Sequence, residues 1–349
     1  MSAESEDAPA TPLTTLHLFG HGPAERSFLE AWTAGRLHHA WLLTGPRGVG
    51  KATLAYRMAR FVLAGGGTEE GAGGLFGSVA PANLDVDPEN HAARLMAAGS
   101  HPGLKALERL ENDKGKLAKE ISVDQVRALI PFLGTTPADG GWRVVIVDAA
   151  DDMNRAAANA LLKMLEEPPV RTLFVLVSHA PGRLLPTIRS RCRRLVLAPL
   201  EPASVHAALR SVRPDLATAE IERLVPIAQG CPGRALRFAG LDIEGLESAL
   251  DMLARTGDPD GALALNLAAM LSAAAAQPRY EAFLELVPER LATMAEEADP
   301  ADLARLVSLW EKARDLAGAA VPLALDPRSV VFELSRIVAS ASVRTSNLV

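Results

Sequence analysis

Four short segments in the first 200 residues are dominated by apolar side chains and have the length of buried strands. They span residues 40–43, 144–147, 173–177 and 194–197. Apolar residues at helical spacing lie between them; one predicted helix covers 123–133, with Ser122 as its N-cap, and Pro168 ends another. Because strands that alternate with helices usually pair in parallel, this order predicts a parallel sheet with helices on both faces.

The strand pattern stops after Pro199, and only helical spacing follows. Residues 202–240 are predicted to form a small helical unit, and longer helices are predicted at 245–256, 259–276, 300–318 and 326–341. The predicted fold class is therefore α/β, with a parallel-sheet domain followed by two helical domains. The predicted boundaries are a disordered tail at 1–16, the sheet domain at 17–200, a small helical domain at 201–241 and an all-α domain at 242–349.

Composition and charge exclude several classes of protein. The chain has 349 residues, 48% of them hydrophobic, and a formal net charge of -6, which argues against a surface that is basic all over and grips nucleic acid. Two cysteines are too few for a disulfide framework or a four-cysteine zinc site, which favours a reducing cytoplasmic location. Because the first residues are acidic and polar, we expect no secretory leader, and the most apolar run, 262–276, is too short to cross a membrane. We therefore expect no membrane partner.

A phosphate-binding loop is the strongest chemical motif in the sequence. The segment GPRGVGK lies between the first predicted strand and a predicted helix, and it matches the first seven positions of that motif. Its glycines let backbone N–H groups converge on an anion, the helix presents its positive end, and Lys51 adds a charge for the outer phosphates. The alternative is a glycine turn that merely joins a strand to a helix. The predicted nucleotide contacts are Gly45, Pro46, Arg47, Gly48, Val49, Gly50, Lys51, Ala52 and Thr53.

The loop lacks the side chain that usually ligates Mg²⁺. The eighth position of the motif should be Ser or Thr, and here it is Ala52. Thr53 follows, but one residue rotates a side chain by about 100° around a helix, so Thr53 cannot be assumed to replace the ligand. The loop is therefore predicted to hold phosphate beside a damaged metal site.

Asp148 ends the predicted strand at 144–147 and is the second nucleotide-site candidate. A carboxylate at this position can hold Mg²⁺ or its waters, and a loop or capping aspartate is the alternative. In nucleotide hydrolases of this architecture a water-activating Glu usually follows, but here the next residue is Ala149. Asp151 and Asp152 are near in sequence but displaced from that position.

Two arginines are candidates for contact with a phosphate group. Arg191 lies in a basic stretch, 183–194, and a guanidinium at a subunit edge can neutralise a phosphoryl group that a neighbouring subunit binds. A solvated basic face or a contact with DNA phosphates is the alternative. Arg234 stands at the start of a predicted helix from which it can reach a nucleotide; an ordinary helix arginine is the alternative.

These motifs and the strings around them resemble the clamp-loader branch of the AAA+ proteins. The strings are GRLHHAWLLTGPRGVGKATLAYRMARF (35–61), HPGL (101–104), ISVDQVRAL (121–129), VVIVDAADDMNRAAANALLKMLEEPP (144–169) and LLPTIRSRC (184–192). The last two are long and specific. Beyond residue 240 the resemblance fades, and only the helical character agrees.

The resemblance implies a domain plan and a set of partners. It implies an AAA+ ATPase-like P-loop domain, a helical lid at 201–241 and a C-terminal collar at 242–349 that joins five subunits in a ring. The implied partners are motor ATPase subunits of the gamma/tau type and a delta-type subunit, with the sliding clamp and primed DNA met through the complex.

The resemblance also implies roles for single residues. Arg191 would act as an arginine finger on the ATP of an adjacent subunit, and Arg234 would be the lid arginine of the family's second sensor motif. The implied cofactor is ATP or ADP with Mg²⁺, for which Ala52 leads us to expect weak binding or none. No cysteine lies between Gly45 and Cys192, so the four-cysteine zinc module of many family members is not expected here.

Two functional hypotheses follow. The first is a clamp-loader subunit that does not hydrolyse ATP itself and completes the site of a partner, because the hydroxyl is missing at Ala52, the carboxylate is missing at Ala149 and Arg191 is retained. The second is an active AAA+ ATPase, either the motor subunit of the same loader or another P-loop ATPase. The second hypothesis needs Thr53 or water at the metal, and Asp151 or Asp152 as the base.

Overall fold

The computed structural model describes residues 11–66, 81–111, 117–134 and 141–342. The chain forms two compact units that divide between Leu236 and Arg237. This division lies close to the predicted boundary at 241. Most of the predicted lid, 201–241, belongs to the first unit, and its status as a domain of its own stays a prediction.

The first unit is built on one sheet of five parallel strands in the order β2-β3-β4-β1-β5. The strands are β1 (Ala40–Thr44), β2 (Leu104–Leu107), β3 (Arg143–Asp148), β4 (Thr172–Ser178) and β5 (Arg193–Val196). All four predicted strands are present, which confirms the predicted parallel sheet. The sequence does not predict β2, because this short edge strand buries only Leu107 and shows no apolar run.

Helices cover the sheet and follow it. Those described up to Phe238 are α1 (Gly22–Thr33), α2 (Lys51–Leu63), α3 (His91–Ala97), α4 (Val123–Arg127), α5 (Leu129–Gly134), α6 (Arg155–Glu166), α7 (Pro186–Arg189), α8 (Pro202–Val212), α9 (Thr218–Ala228) and α10 (Pro232–Phe238). The last three confirm the helical stretch predicted at 202–240. The division between the two units falls inside α10.

Alternate residues of each strand enter two apolar cores, one on each face of the sheet. Trp41 and Leu43 of β1 join the core that α1 and α2 cover, whereas Ala40 and Leu42 join the core that α4, α6 and α7 cover. Side chains of a strand alternate between the faces of its sheet, so a strand that is apolar at every position is buried on both. Helices and apolar cores therefore cover both faces of the sheet, and the loops lie at the ends of the strands.

The predicted helix at 123–133 is divided into α4 and α5. Ser122 caps α4 as predicted: its side chain accepts a hydrogen bond from the backbone N–H of Gln125, and the Gln125 side chain accepts one from the backbone N–H of Ser122. Pro131 explains the division, because it has no N–H to donate to the carbonyl of Arg127 four residues earlier, and its ring crowds that carbonyl.

The regular secondary structure described in the second unit is helical. Its helices are α11 (Ile243–Thr256), α12 (Ala262–Leu271), α13 (Gln277–Glu296), α14 (Pro300–Ala320) and α15 (Pro327–Ser340). α15 packs against each of the other four and buries Val331, Leu334 and Val338. The sequence does not predict α13, because Pro288 lies inside it and proline usually ends a helix.

The predicted disordered tail, 1–16, extends too far along the chain. Residues 1–10 lie outside the described residues, but 11–16 are placed against α2. Arg60 Nη2 donates to the carbonyl of Leu13 over 2.7 Å, and Arg57 Nη1 donates to the carbonyl of Leu16. Both arginines are buried, and a buried guanidinium needs acceptors, which this segment supplies from its main chain.

None of the helices within the described residues has both the length and the apolar character that crossing a membrane requires.

Candidate nucleotide-binding site

The predicted phosphate-binding loop joins the carboxyl end of β1 to the first residue of α2. Three of its glycines have positive φ: Gly45 at 149°, Gly48 at 78° and Gly50 at 109°. In glycine-rich loops, positive φ angles allow successive backbone N–H groups to converge on an anion, and a following helix adds its positive end. The structure therefore gives the loop the backbone conformation that the motif requires, and anion binding by the loop stays a prediction.

Gly48 is the point at which this loop packs against the start of α10. Its carbonyl oxygen accepts a hydrogen bond of 2.8 Å from the backbone N–H of Gly233. A Cβ atom at Gly48 would lie 2.7 Å from the backbone nitrogen of Arg234 and 3.0 Å from the carbonyl carbon of Gly233. The close approach of two backbones thus requires glycine here, and it places the backbone of Arg234 beside the loop. The predicted contact of Arg234 with a nucleotide stays a prediction.

Lys51 points back along the loop. Its Nζ donates to the carbonyl oxygens of Gly45, over 2.7 Å, and Pro46, over 2.6 Å, and the residue is 3% exposed. Burial lowers the pKa of Lys51 to about 8, although the nearby Asp148 carboxylate acts in the opposite direction. The ammonium group therefore lies at the loop, but it loses its charge nearer to neutral pH than an ordinary lysine does.

Asp148 ends β3 and faces the same cavity as Lys51. Burial raises its pKa, with a further contribution from Glu108, and Lys51 opposes the shift. Ala149, the next residue, is buried and carries no group that accepts a proton.

The two carboxylates considered as substitutes for the missing base have partners within the chain. Asp151 Oδ2 accepts a hydrogen bond of 2.9 Å from the backbone N–H of His179 at the end of β4. Asp152 Oδ2 lies 3.0 Å from Nε of Arg109. Both side chains thus stabilise the loop that follows β3, and these contacts do not favour the active-ATPase hypothesis.

A cavity of about 370 Å³ adjoins the loop. The predicted residues that line it are Gly48, Val49, Gly50, Lys51, Ala52, Thr53 and Asp148, whereas Gly45, Pro46, Arg47 and Arg234 do not line it. The rest of the wall is largely apolar and includes Leu18, Phe19, Val177, Leu200 and Leu236. Its volume and its combination of an apolar wall with a glycine-rich loop suit a nucleotide, whose base has apolar aromatic faces and whose phosphates are charged.

Residues before α1 also line this site, and the sequence does not predict them. Thr11, Thr15 and Phe19 line the cavity, and His21 Nε2 lies 2.8 Å from the carbonyl oxygen of Val49, to which it donates. Burial lowers the pKa of His21, which favours the neutral ring. No motif marks these residues, because they reach the loop only when the segment folds back over α2.

Arg191 lies near the amino-terminal ends of the strands, whereas the phosphate-binding loop lies at their carboxyl ends. It stands two residues before β5, whose first residue, Arg193, pairs with Trp41 near the start of β1. The phosphate-binding loop follows the other end of β1, after Thr44, so the strand alone separates the two by roughly 13 Å. Arg191 is therefore unable to reach a phosphate in the cavity of its own chain.

The fold and this site define a P-loop protein of the AAA+ class, as predicted: a parallel sheet, a glycine-rich loop between β1 and α2, and Asp148 at the end of β3. The chain belongs to the family described as DNA polymerase III, delta subunit, whose family model matches residues 20–201. The resemblance to clamp-loader proteins is thereby confirmed at the level of the family.

Curated relatives agree with this assignment. The chain is 40% identical over 203 residues to the DNA polymerase III subunit delta' of Pseudomonas aeruginosa. This match covers 58% of this chain and 56% of the relative. It is 32% identical over 240 residues to the delta' subunit of Escherichia coli, with 66% and 64% covered. It is also 32% identical over 188 residues to the gamma/tau subunit of Mycobacterium tuberculosis, with 52% and 28% covered. Each match spans less than two thirds of the relative's own length.

Proposed function

We propose that this chain is a delta-prime-type subunit of a bacterial DNA polymerase III clamp loader and helps to load the sliding clamp onto primed DNA. In this proposal it does not hydrolyse ATP itself and supplies Arg191 to the ATP site of an adjacent subunit. The position of Arg191 carries the proposal: the arginine lies near the amino-terminal ends of the strands, opposite its own phosphate-binding loop at their carboxyl ends. A guanidinium so placed suits a phosphoryl group held by a neighbour.

The ATPase activity would then belong to partner subunits. Gamma/tau subunits are among the relatives of this chain, which supports partners of that type. A delta-type subunit, the clamp and primed DNA are further proposed partners, and the cytoplasm is the proposed location. By itself the chain would be a non-catalytic subunit of a DNA-directed DNA polymerase holoenzyme, a nucleotidyltransferase.

We further propose that the cavity binds ATP or ADP weakly, because its residues fit the nucleotide but not the metal. The N–H groups of the loop and Lys51 would hold the phosphates, and the apolar wall would contact the base. Mg²⁺ fits poorly, because Ala52 has no oxygen to ligate it and burial raises the pKa of Asp148, which disfavours the carboxylate. Within the described residues, no group of three or more His, Cys, Asp or Glu side chains is arranged to hold a metal ion.

ATP hydrolysis by the purified chain, alone and after reconstitution with its gamma/tau-type partner, tests the proposal. We expect no turnover by the chain alone, and turnover by the complex that exceeds the rate of the partner alone. Magnesium-dependent turnover by the chain alone that Lys51→Ala abolishes would establish an active ATPase and overturn the proposal.

Restoring the hydroxyl at the eighth motif position should make nucleotide binding depend on Mg²⁺. In Ala52→Thr we expect ADP affinity, measured by calorimetry, to rise about tenfold or more when Mg²⁺ replaces EDTA, because a missing metal ligand is returned. The unsubstituted chain should show the same affinity in both conditions. Thr53→Ala is the matched control. If Mg²⁺ already raises the ADP affinity of the unsubstituted chain, and Thr53→Ala abolishes this effect, then Thr53 ligates the metal and the expectation is wrong.

Nucleotide affinity should fall as the pH rises through the pKa of Lys51. The charged ammonium group of Lys51 binds phosphate. Because the pKa of Lys51 is lowered to about 8, raising the pH from 7 to 9.5 deprotonates Lys51 in the nucleotide-free protein. We expect the ADP affinity of the chain to fall about tenfold over this range. In Lys51→Arg the guanidinium stays charged, so its affinity should stay nearly constant. Parallel pH profiles for the two proteins would contradict the role of Lys51.

A further inference from the structure

The guanidinium of Arg191 is held by two neighbouring elements of its own chain. Its Nη2 lies 2.9 Å from Glu166 Oε1, at the end of α6, and its Nη1 donates to the carbonyl oxygen of Thr187 in α7 over 3.1 Å. The Arg191 and Glu166 side chains are 36% and 44% exposed. The pair therefore fixes a guanidinium that solvent, or a docked neighbour, can still reach.

The backbone that carries Glu166 is itself well fixed. α6 buries Leu161 and Leu165 against the sheet. The carbonyl oxygen of Leu165 lies in the last turn of the helix, where carbonyls lack helical partners, and it accepts a hydrogen bond of 3.0 Å from His39 Nε2. Burial and the adjacent His38 lower the pKa of His39, which favours the neutral ring. The end of α6 is thus tied to the residue that precedes β1.

We infer that Glu166 is a positioning residue that holds Arg191 in the orientation required by the neighbouring subunit's phosphoryl group; this inference rests on the proposed function. An exposed ion pair adds little to stability, so stability alone gives no reason for it. A free arginine side chain has many rotamers, and an arginine that is already oriented loses less freedom when it binds.

The Arg191 guanidinium can still bind an anion while it is paired with Glu166. Arginine has five N–H donors in a planar group. The hydrogen bond to Thr187 uses one of them, and the ion pair with Glu166 engages Nη2. Within the described residues, at least three N–H donors therefore remain for the oxygens of a phosphoryl group. Glu166 can therefore stay bound to Arg191 while the guanidinium contacts the neighbour's nucleotide.

Single-turnover ATP hydrolysis by the reconstituted complex tests this inference. In Glu166→Gln, which keeps the shape of the side chain and removes its charge, we expect hydrolysis at the site next to this chain to slow about three- to fivefold. The ATP concentration for half-saturation should not change, because the partner's own loop binds the nucleotide. Glu167→Gln is the matched control, since this exposed neighbour should change neither quantity.

Two comparisons separate positioning from a general structural effect. With Arg191→Ala already present, Glu166→Gln should cause no further slowing, since the residue that it positions is gone. Equal rates for Glu166→Gln and Glu167→Gln, faster hydrolysis in Glu166→Gln, or the same loss in the Arg191→Ala background would each overturn the inference while leaving the proposed function standing. If Arg191→Ala itself has no effect, the proposed function fails, and the inference fails with it.

Discussion

Arg191→Ala should slow ATP hydrolysis at the neighbouring site of the reconstituted complex about a hundredfold or more. An arginine that neutralises the transferring phosphoryl group is worth about 10³ to 10⁵ in rate in well-studied GTPases, so even a tenth of the lower figure is measurable. The complex should still assemble, because the side chain is partly exposed and its polar contacts among the described residues are those with Glu166 and Thr187. Single-turnover hydrolysis is the measurement, and the affected site should appear as a slow phase.

The matched control is Arg189→Ala, two residues away in the same basic stretch. Arg189 is exposed, so its removal changes the local charge equally without removing the proposed finger. Assembly is checked for both variants by size-exclusion chromatography. If Arg191→Ala hydrolyses ATP at the unsubstituted rate, or if Arg189→Ala loses as much, the proposal that Arg191 acts on a neighbour's ATP is wrong.

Gly48→Ala should destabilise the first unit by about 3 kcal/mol. Part of this loss is the strain of a positive φ for alanine, which costs about 1 to 2 kcal/mol. The rest is overpacking, typically 1 to 3 kcal/mol, because the new Cβ would lie 2.7 Å from the backbone nitrogen of Arg234 and 3.0 Å from Gly233. Backbone atoms cannot rotate away as a flexible side chain does. Urea unfolding followed by circular dichroism measures the loss.

Gly35→Ala separates the two contributions. Gly35 has a similar φ of 64°, and no atom lies within 4 Å of the Cβ that alanine would add, so only the strain applies. We expect a loss of about 1 kcal/mol for this control. Equal losses in the two variants would show that the contact of Gly48 with α10 adds no stability. A further expected result is that Gly48→Ala alone also weakens ADP binding, since it separates the loop from Gly233.

The sequence predicts what depends on neighbouring residues in the chain. The four apolar strands alternate with helices, and this order is sufficient for a parallel sheet because both faces of each strand must be covered. The glycine-rich loop is likewise local, since a strand, a glycine turn and Lys51 within one segment make the anion site. The substitutions at Ala52 and Ala149 are visible in the sequence for the same reason.

The tertiary structure decides which distant groups meet. Asp151 accepts from the N–H of His179, and His21 donates to the carbonyl of Val49; backbone partners of this kind carry no sequence pattern. Arg57 and Arg60 order a segment that composition alone assigns to a tail, because main-chain carbonyls satisfy buried guanidinium groups.

The chemical groups at the nucleotide site were determined by the sequence, because residue type and local spacing alone specify them. Where those groups point was decided by the fold. The pairing of β5 with β1 places Arg191 near the amino-terminal ends of the strands, away from its own loop. The end of α6 places Glu166 beside it. Side chains so far apart in the chain meet only through packing of the whole sheet, and their relation therefore cannot be obtained from neighbouring residues.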